Sequence, residues 1–280
     1  MVKSQQFSWL GQLALQFKPL AGRTRIVARH HRGPLCVQRP FYPENNGTCH
    51  VYCIHPPGGM AGGDELSLNL DLHPHARVLA TTPAAGKFYA CAQRGIVWRQ
   101  HFKVAEHALL EWFPQENIFF TGTKVQLYSR VELAANSHFL AWEITCLGRS
   151  RSHEQFNQGS VCQILEIWRE GQLLWKERNE FNGADEMILA PWGLRGQQVS
   201  GTFILTLPEA GFPGAVFPVL IPPVSPVEEW FGMSQLDQFL VARYLGPSAE
   251  HAKQYFINLW QILRPFYTGL SAVKPRVWQT

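Results

Sequence analysis

The residues that could do chemistry are a few carboxylates set in line with strand-like hydrophobic runs. Asp64 has the same parity as the four leucines of DELSLNLDL, and Glu177 has the same parity as Trp175. Glu143 lies opposite the apolar stripe of its own run, HFLAWEITCL. A carboxylate near a core face is costly unless it is paired, hydrated or bound to a cation. Two interpretations stay open: acids satisfied by arginine or backbone amides, or a wet polar passage whose acids suit a divalent cation.

Soft metal ligands come together in one segment. In CHVYCIH, Cys49, Cys53 and His55 share one parity, so they would project from one face of a strand. The spacing matches no zinc pattern and no second ligand pair is evident. We interpret the six cysteines as small buried hydrophobes. A structural or solvated histidine is the simpler interpretation of His55, and a weak or transient metal contact there stays open.

Two glycine-containing loops could suggest a phosphate site, and neither satisfies the pattern. PPGGMAGGDEL has no lysine and runs into a strand, whereas a P-loop needs Gly-Lys-Ser/Thr leading into a helix. TTPAAGKF has a Gly86-Lys87 pair, but Phe88 follows it and Thr81 stands where the first glycine should be. The chain also lacks a Gly-x-Ser-x-Gly elbow. The sequence therefore predicts neither nucleotide binding nor an enzyme, and a β-sandwich hydrolase using His55 with Asp64 is retained only as an alternative.

The elements that must position these residues are short strands. Residues 1–224 alternate with period two between turn-rich segments, which predicts a mostly β, large layered sheet or sandwich-like architecture. VCQILEIWREGQLLWKERNEF predicts two strands joined at Gly171. Residues 225–246 and 247–266 carry apolar residues at helical spacing, and Pro247-Ser248 would open the second helix. We expect one domain over 1–280, β-rich to 224, with about two α-helices in a helical part at 225–270.

Composition excludes several classes of protein. Hydrophobic residues make up 46% of the chain and charged residues 16%, so ordinary folding is expected. The net charge of +4 is mild, and no basic arm suggests nucleic acid. No stretch approaches the roughly 18 apolar residues of a membrane span, and the N-terminus lacks a signal-peptide core. We expect a cytoplasmic protein with no nucleic-acid or membrane partner.

Six blocks, in order along nearly the whole chain, together resemble one family, the urease accessory protein UreD, also called UreH. They are GPLCVQRPFYPE (33–44), HVYCIHPPGGMAGGDEL (50–66), TTPAAGKFY (81–89), LEWFPQENIFF (110–120), WEITCLGR (142–149) and PRVWQT (275–280). The resemblance implies an unusual, mostly β fold and a non-enzymatic chaperone of nickel insertion. It implies binding to apo-urease and to UreF, which recruits the GTPase UreG. Ni²⁺ would be in transit through the protein, with no tightly bound cofactor.

The resemblance also assigns residues by motif. Asp64 matches the acid closing the HPPGGxxGGD block, and Thr81, Thr82 and Lys87 match the TTPxxxKFY block. Glu143 falls in the WEI block, whereas Glu177 lies outside the strongest motifs. The hypothesis is a hydrated internal passage with Asp64, Glu143, Glu177 and His55 as nickel contacts and Thr81, Thr82 and Lys87 along its wall. A second hypothesis is an adaptor that only holds urease open while nickel enters by another route.

Overall fold

Two large β-sheets dominate the computed structural model, which describes residues 8–149, 152, 154–183, 185–208, 212 and 229–279. Eighteen strands and one long α-helix lie within these residues. The strands are β1 Leu10–Leu20, β2 Arg23–Arg32, β3 Cys36–Val37, β4 Cys49–Ile54, β5 Glu65–Leu72, β6 Arg77–Thr81, β7 Gly86–Phe88, β8 Ile96–Val104, β9 Leu109–Phe113, β10 Asn117–Phe119, β11 Lys124–Leu133, β12 His138–Arg149, β13 Glu154–Gln155, β14 Ser160–Arg169, β15 Gln172–Asn182, β16 Val199–Thr206, β17 Trp230–Leu236 and β18 Phe239–Gly246. Helix α1 is Ala249–Leu263, and a short helical turn, Pro265–Thr268, follows it.

The chain winds back and forth between the two sheets. Sheet I has the order β15-β14-β11-β8-β5-β1-β2, and sheet II has the main order β17-β18-β16-β12-β9-β6-β4-β3. Successive passes through sheet I (β5, β8, β11, β14) pair in parallel, and so do successive passes through sheet II (β4, β6, β9, β12). Because equivalent positions of successive passes become neighbours, residues about 30 apart in sequence stand side by side. One such row joins Leu68, Gln100, Ser129 and Leu165.

Strand alternation follows directly from burial between the sheets. Leu66, Leu68, Leu70 and Leu72 of β5 are all at most 1% exposed, as their spacing predicted. They meet side chains from the facing side of sheet II in one hydrophobic core. The predicted hairpin at Gly171 is confirmed as β14 and β15, and the mostly β, layered fold is confirmed with it.

A third layer covers the outer face of sheet II. Ser248 caps the N-terminus of helix α1, because its hydroxyl accepts a hydrogen bond from the His251 N–H at 3.2 Å. The buried side chains of the helix recur every three to four residues. Phe256 and Trp260 pack against the outward side of β12 and β16 around Trp142. The stripe Leu140, Trp142 and Ile144 therefore faces the helix, which leaves the opposite face of β12, with Glu143, turned toward sheet I.

The prediction of a helix over residues 225–246, the first of the two expected near the C-terminus, is wrong. Within residues 225–246, the described part forms the antiparallel hairpin β17–β18, and residues 225–228 lie outside the described residues. Asp237, with φ 50°, occupies the left-handed conformation in its two-residue turn. The first half of β18, residues 239–242, is buried on both faces between sheet I and helix α1, so it is a continuous apolar run that hides the period of two. The second helix is confirmed as α1, so the helical part is confined to 249–268.

A buried ionic cluster fixes the end of helix α1 to the sheet. Arg264 is fully buried, and its guanidinium donates to Glu111 of β9 at 2.9 Å and to Glu44 at 2.8 Å. His50 contacts the same Glu44 carboxylate at 2.6 Å, and the Trp260 indole donates to Glu111 at 2.6 Å. Because both acids are hydrogen-bonded to a permanent cation, the cluster is satisfied and couples the helix to residues more than 150 positions away.

Two further expectations concern cysteines and membranes. All six cysteines are free, and four of them, Cys49, Cys53, Cys91 and Cys146, are buried, in agreement with their interpretation as small hydrophobes.

In the part of the chain described, we find no helix with the length and apolar character that crossing a bilayer would require.

Candidate functional site

An elongated cavity of about 230 Å³ lies between sheets I and II. Its lining reaches from β4 to β16 of sheet II, which is four strand spacings, or roughly 19 Å at about 4.8 Å per strand. Apolar side chains, with leucine, phenylalanine and tryptophan the largest among them, form most of the wall. Polar side chains interrupt it at His55, Thr82, Lys87, Gln100, Gln115, Asn117, Ser129, Glu143, Gln163, Glu177, Asn179 and Thr202.

Glu143 lines this cavity from β12, one strand away from its β16 end. Strand β12 directs it away from helix α1 and toward sheet I, on the same face as Ala141 and Thr145. The Gln163 side-chain amide of β14 donates to Glu143 Oε1 at 2.8 Å, and the Asn117 amide donates to the same oxygen at 3.3 Å. The Gln163 side-chain amide also donates to the Thr145 hydroxyl at 3.0 Å, which fixes its position. Both partners of Glu143 are therefore neutral amides, and no described salt bridge involves this acid.

The surroundings of Glu143 favour its protonated form. Burial, together with the nearby Glu177 charge, raises the pKa of the Glu143 carboxyl to about 7, although the hydrogen bonds from Gln163 and Asn117 oppose the rise. An acid with such a pKa exchanges its proton near neutral pH. It can accept a cation in place of that proton, because the cavity supplies no fixed positive charge next to it.

Asn117 is a cavity residue that the sequence analysis did not single out. It begins β10, which lies between β7 and β12, opposite Gly86 on one side and Thr145 on the other. A Cβ on Gly86 would approach Asn117 Oδ1 to 2.6 Å, so glycine at this position lets the amide lie flat beside Glu143. The only signal for Asn117 was its presence in LEWFPQENIFF, and Gln163 carried none.

Glu177 borders the cavity near β16 and is paired with an arginine. Arg243 of β18 donates to both Glu177 oxygens, at 2.6 and 2.8 Å, and Asn179 donates to Oε1 at 2.8 Å. Burial raises the pKa of Glu177, but the hydrogen bonds and charge of Arg243 outweigh it and hold the pKa below its usual value. Glu177 is therefore ionised, and the Arg243 guanidinium neutralises its charge. The pair forms a fixed polar part of the cavity wall next to Glu143.

The end of the cavity near β4 is lined by His55, Thr82 and Lys87. His55 is half-buried, and burial lowers its pKa despite the opposing charge of Asp64, so the imidazole is neutral and able to bind a metal near neutral pH. The Thr82 hydroxyl accepts from the Gln115 N–H at 2.9 Å, which fixes the loop before β7. Lys87 is exposed and lies where this loop meets solvent.

Asp64 and Thr81 lie outside the cavity lining. The Asp64 carboxylate accepts backbone N–H groups from Trp9 at 2.9 Å and from Ala61 at 2.8 Å, inside a turn that Gly63 closes with φ 94°. The parity argument placed Asp64 correctly on the buried side, at 6% exposure, but its partners are backbone amides. Thr81 is fully buried and donates to the Phe113 carbonyl, while the Trp278 indole donates to the Thr81 hydroxyl at 3.0 Å.

The donor set of the cavity can bind a cation weakly. Among the described residues, no three His, Cys, Asp or Glu side chains gather closely enough to form a metal site. Cys49, Cys53 and His55 share a parity but form no such group. What the cavity does offer is the carboxylate of Glu143, a second carboxylate, Glu177, that is paired with Arg243, several amide and hydroxyl oxygens and one imidazole, spread along its length. Such ligands bind a divalent cation only together with water.

Comparisons with known proteins agree on one family. A family model described as UreD urease accessory protein matches residues 10–279. The chain is 40% identical over 277 residues to urease accessory protein UreD of Methylobacillus flagellatus, covering 97% of this chain and 95% of that protein. It is 39% identical over 274 residues to the protein of that name from Dechloromonas aromatica, covering 98% and 95%. It is 37% identical over 274 residues to urease accessory protein UreD of Klebsiella aerogenes, covering 97% of each chain.

Proposed function

The chain belongs to the UreD family of urease accessory proteins, and we propose that it acts in urease maturation as a non-enzymatic scaffold that conducts Ni²⁺ through its inter-sheet cavity. The observation that carries the proposal is the isolated carboxylate of Glu143 inside an elongated cavity. The four buried acids of the described residues have partners: Arg264 for Glu111 and Glu44, Lys176 for Glu166, and backbone amides for Asp64. Glu177, which is half-buried on the cavity wall, has Arg243.

The ligand chemistry supports transfer over storage. Ni²⁺ accepts oxygen and imidazole ligands, and its affinity rises with the number of charged ligands that a site fixes. Glu143 supplies one charge, and a proton competes for it because the pKa is about 7. An ion bound there keeps most of its water and leaves readily. His55 at the β4 end and Glu143 near the β16 end would give successive weak contacts along the path.

The proposal includes the partners that the family resemblance implied. Apo-urease would receive the ion from one end of the cavity, and UreF, with UreG bound to it, would deliver the ion at the other end. The cavity lining spans four strand spacings of sheet II, from β4 to β16, so its two ends lie toward opposite sides of that sheet. A path of this geometry suits delivery between two different proteins bound at the same time.

Glu143→Gln tests the proposal. Glutamine keeps the shape and can still accept a hydrogen bond from Gln163, so folding and binding to apo-urease and UreF should persist, as measured by gel filtration of the reconstituted complex. Nickel content of the urease product, measured at limiting Ni²⁺, should fall several-fold. Glu132→Gln is the matched control, since Glu132 is half-buried, lies outside the cavity and has its own cationic partner, Arg130, at 2.8 Å.

A cavity-filling variant separates the passage from the adaptor hypothesis. Ala141 lines the cavity beside Glu143, and Ala141→Leu would place three additional carbons in the path. If Glu143→Gln and a folded Ala141→Leu both load urease with nickel as well as the wild type does, the passage is wrong and the adaptor hypothesis is favoured. Loss of nickel loading with the complex intact supports the passage.

A further inference from the structure

The first 43 residues carry a charge distribution unlike that of the rest of the chain. They contain seven of the 25 Lys and Arg residues and none of the 21 Asp and Glu residues, so the remaining chain is net acidic. Four of the seven cations, Arg23, Arg25, Arg29 and Arg32, lie on β2 together with His30 and His31. The whole positive net charge is therefore concentrated on one strand and its neighbourhood.

Strand β2 is the edge of sheet I. Among the described residues it pairs with β1 alone, and its residues from 27 to 32 are all exposed. Outside the pairing with β1, one backbone hydrogen bond from β2 is found among the described residues, from the Thr24 N–H to the Gly47 carbonyl at 3.0 Å. The edge beyond Thr24 consequently presents main-chain groups that an added strand could pair with.

A groove runs along this edge. Its walls are residues 26–29 of β2 and residues 37–40, which continue β3, the edge strand of sheet II. Ile26, Val27, Val37 and Pro40 give it an apolar lining, and Val27 is 44% exposed. The groove is thus open, apolar inside and bordered by a free strand edge.

The cations beside the groove have no acidic neighbours. Arg23 stacks on the Tyr42 ring at 4.6 Å, whereas Arg25, Arg29, Arg32 and Arg39 take part in no salt bridge within the described ranges. One or two charges are enough to prevent edge-to-edge association of a strand. A cluster of this size repels itself, and the repulsion is relieved when an acidic partner binds.

We propose that the groove between β2 and residues 37–40 is a docking site for an extended acidic segment of another polypeptide, which adds as a strand to the edge of sheet I. The strand edge provides main-chain pairing, the apolar lining accepts alternate side chains, and the arginines accept carboxylates. A nucleic acid fits less well, because an apolar slot does not suit a phosphate backbone and the lining contains no aromatic ring on which a base could stack. The proposal does not depend on the nickel passage.

A labelled decapeptide alternating glutamate and valine is the probe, and the same peptide with glutamine in place of glutamate is its control. Fluorescence anisotropy with the full chain should show binding of the glutamate peptide at about 50 mM NaCl and weaker binding at about 300 mM. Arg29→Glu/Arg39→Glu should weaken binding at least tenfold, and Arg29→Gln/Arg39→Gln should weaken it less. Lys103→Glu/Lys124→Glu, an equal change of charge at exposed positions of sheet I, should change it less than twofold.

Hydrogen exchange decides whether a strand is added. Peptide binding should slow exchange of amides within residues 25–32, because new main-chain hydrogen bonds protect them. Binding without such protection, an equal loss in the Lys103→Glu/Lys124→Glu control, or tighter binding of a DNA duplex or phosphatidylserine vesicles would overturn the proposal. No binding of the glutamate peptide at low salt would overturn it as well.

Discussion

Glu143→Gln should change how the stability of the protein depends on pH. In the folded chain, burial and the Glu177 charge hold the pKa of Glu143 at about 7, against 4.5 for an unperturbed glutamate. Above that ordinary value the unfolded chain releases the proton while the folded chain keeps it. The contribution of this group to stability is therefore complete below about pH 4.5 and is lost as the pH rises through about 7.

The magnitude follows from the size of the shift. A difference of about 2.5 pKa units corresponds to about 3 kcal/mol, of which about 2 kcal/mol is lost between about pH 5.5 and about pH 8. Glutamine does not titrate and removes this loss. The variant should therefore gain about 2 kcal/mol relative to the wild type over that interval, although other carboxylates make both proteins less stable in acid.

Two measurements check the reasoning. Urea unfolding of the wild type and Glu143→Gln at both pH values gives the difference in the free energy of unfolding, with Glu132→Gln as the control whose difference should not grow toward pH 8. Carbon-13 NMR of labelled glutamates, assigned by the variant, gives the titration of Glu143 directly. A difference that is independent of pH, or a carboxyl signal that titrates near 4.5, would refute the account of Glu143.

Three further predictions concern the framework. Arg264→Met leaves its two buried carboxylate partners without a cation, so urea unfolding should show a loss of about 3–5 kcal/mol, partly restored in Arg264→Lys. Gly201→Ala sets a methyl group 2.8 Å from the Phe256 ring and should cost about 1–3 kcal/mol by displacing helix α1, whereas Gly232→Ala, with no atom within 4 Å of its new methyl, should be neutral. Asp64→Ala removes the acceptor of two backbone N–H groups and should cost about 1–3 kcal/mol, with nickel loading by the folded protein unchanged. If a fully folded Asp64→Ala variant loaded urease with less nickel, Asp64 would be a contact of the passage after all.

Alternation along the chain predicted the layered β-fold because each strand of sheet I has one face in the core. The same alternation did not predict β18, where part of the strand is covered on both faces. In Phe239–Gly246, Phe239 and Val241 face sheet I while Leu240 and Ala242 face helix α1, so the first four positions are all apolar and helical spacing can be drawn through them. Asp237, the turn residue, was the available signal for a hairpin.

The candidate site was predictable only in part. The family motifs named Thr82, Lys87 and Glu143, which line one cavity, and also Asp64 and Thr81, which do not. Parity drew attention to His55 and Glu177, which line it too. Gln163 and Asn117, which hold Glu143, could not be found, because their proximity depends on how successive passes of the chain align in the two sheets. The salt bridge of Arg264 to Glu44 spans 220 residues and has no local signature at all.

The buried acids of this fold differ in what balances their charge, and that difference separates structure from function. A fixed guanidinium balances Glu111 and Glu177, and two peptide N–H groups satisfy Asp64, so each is neutralised or fully hydrogen-bonded once the chain has folded. Glu143 receives hydrogen bonds from amides but no positive charge. Its charge must be balanced by something that comes and goes, a proton or a mobile cation. Since both bind the same oxygens, nickel entering the cavity should displace the proton, and Ni²⁺ occupancy at Glu143 should increase as the pH rises through about 7.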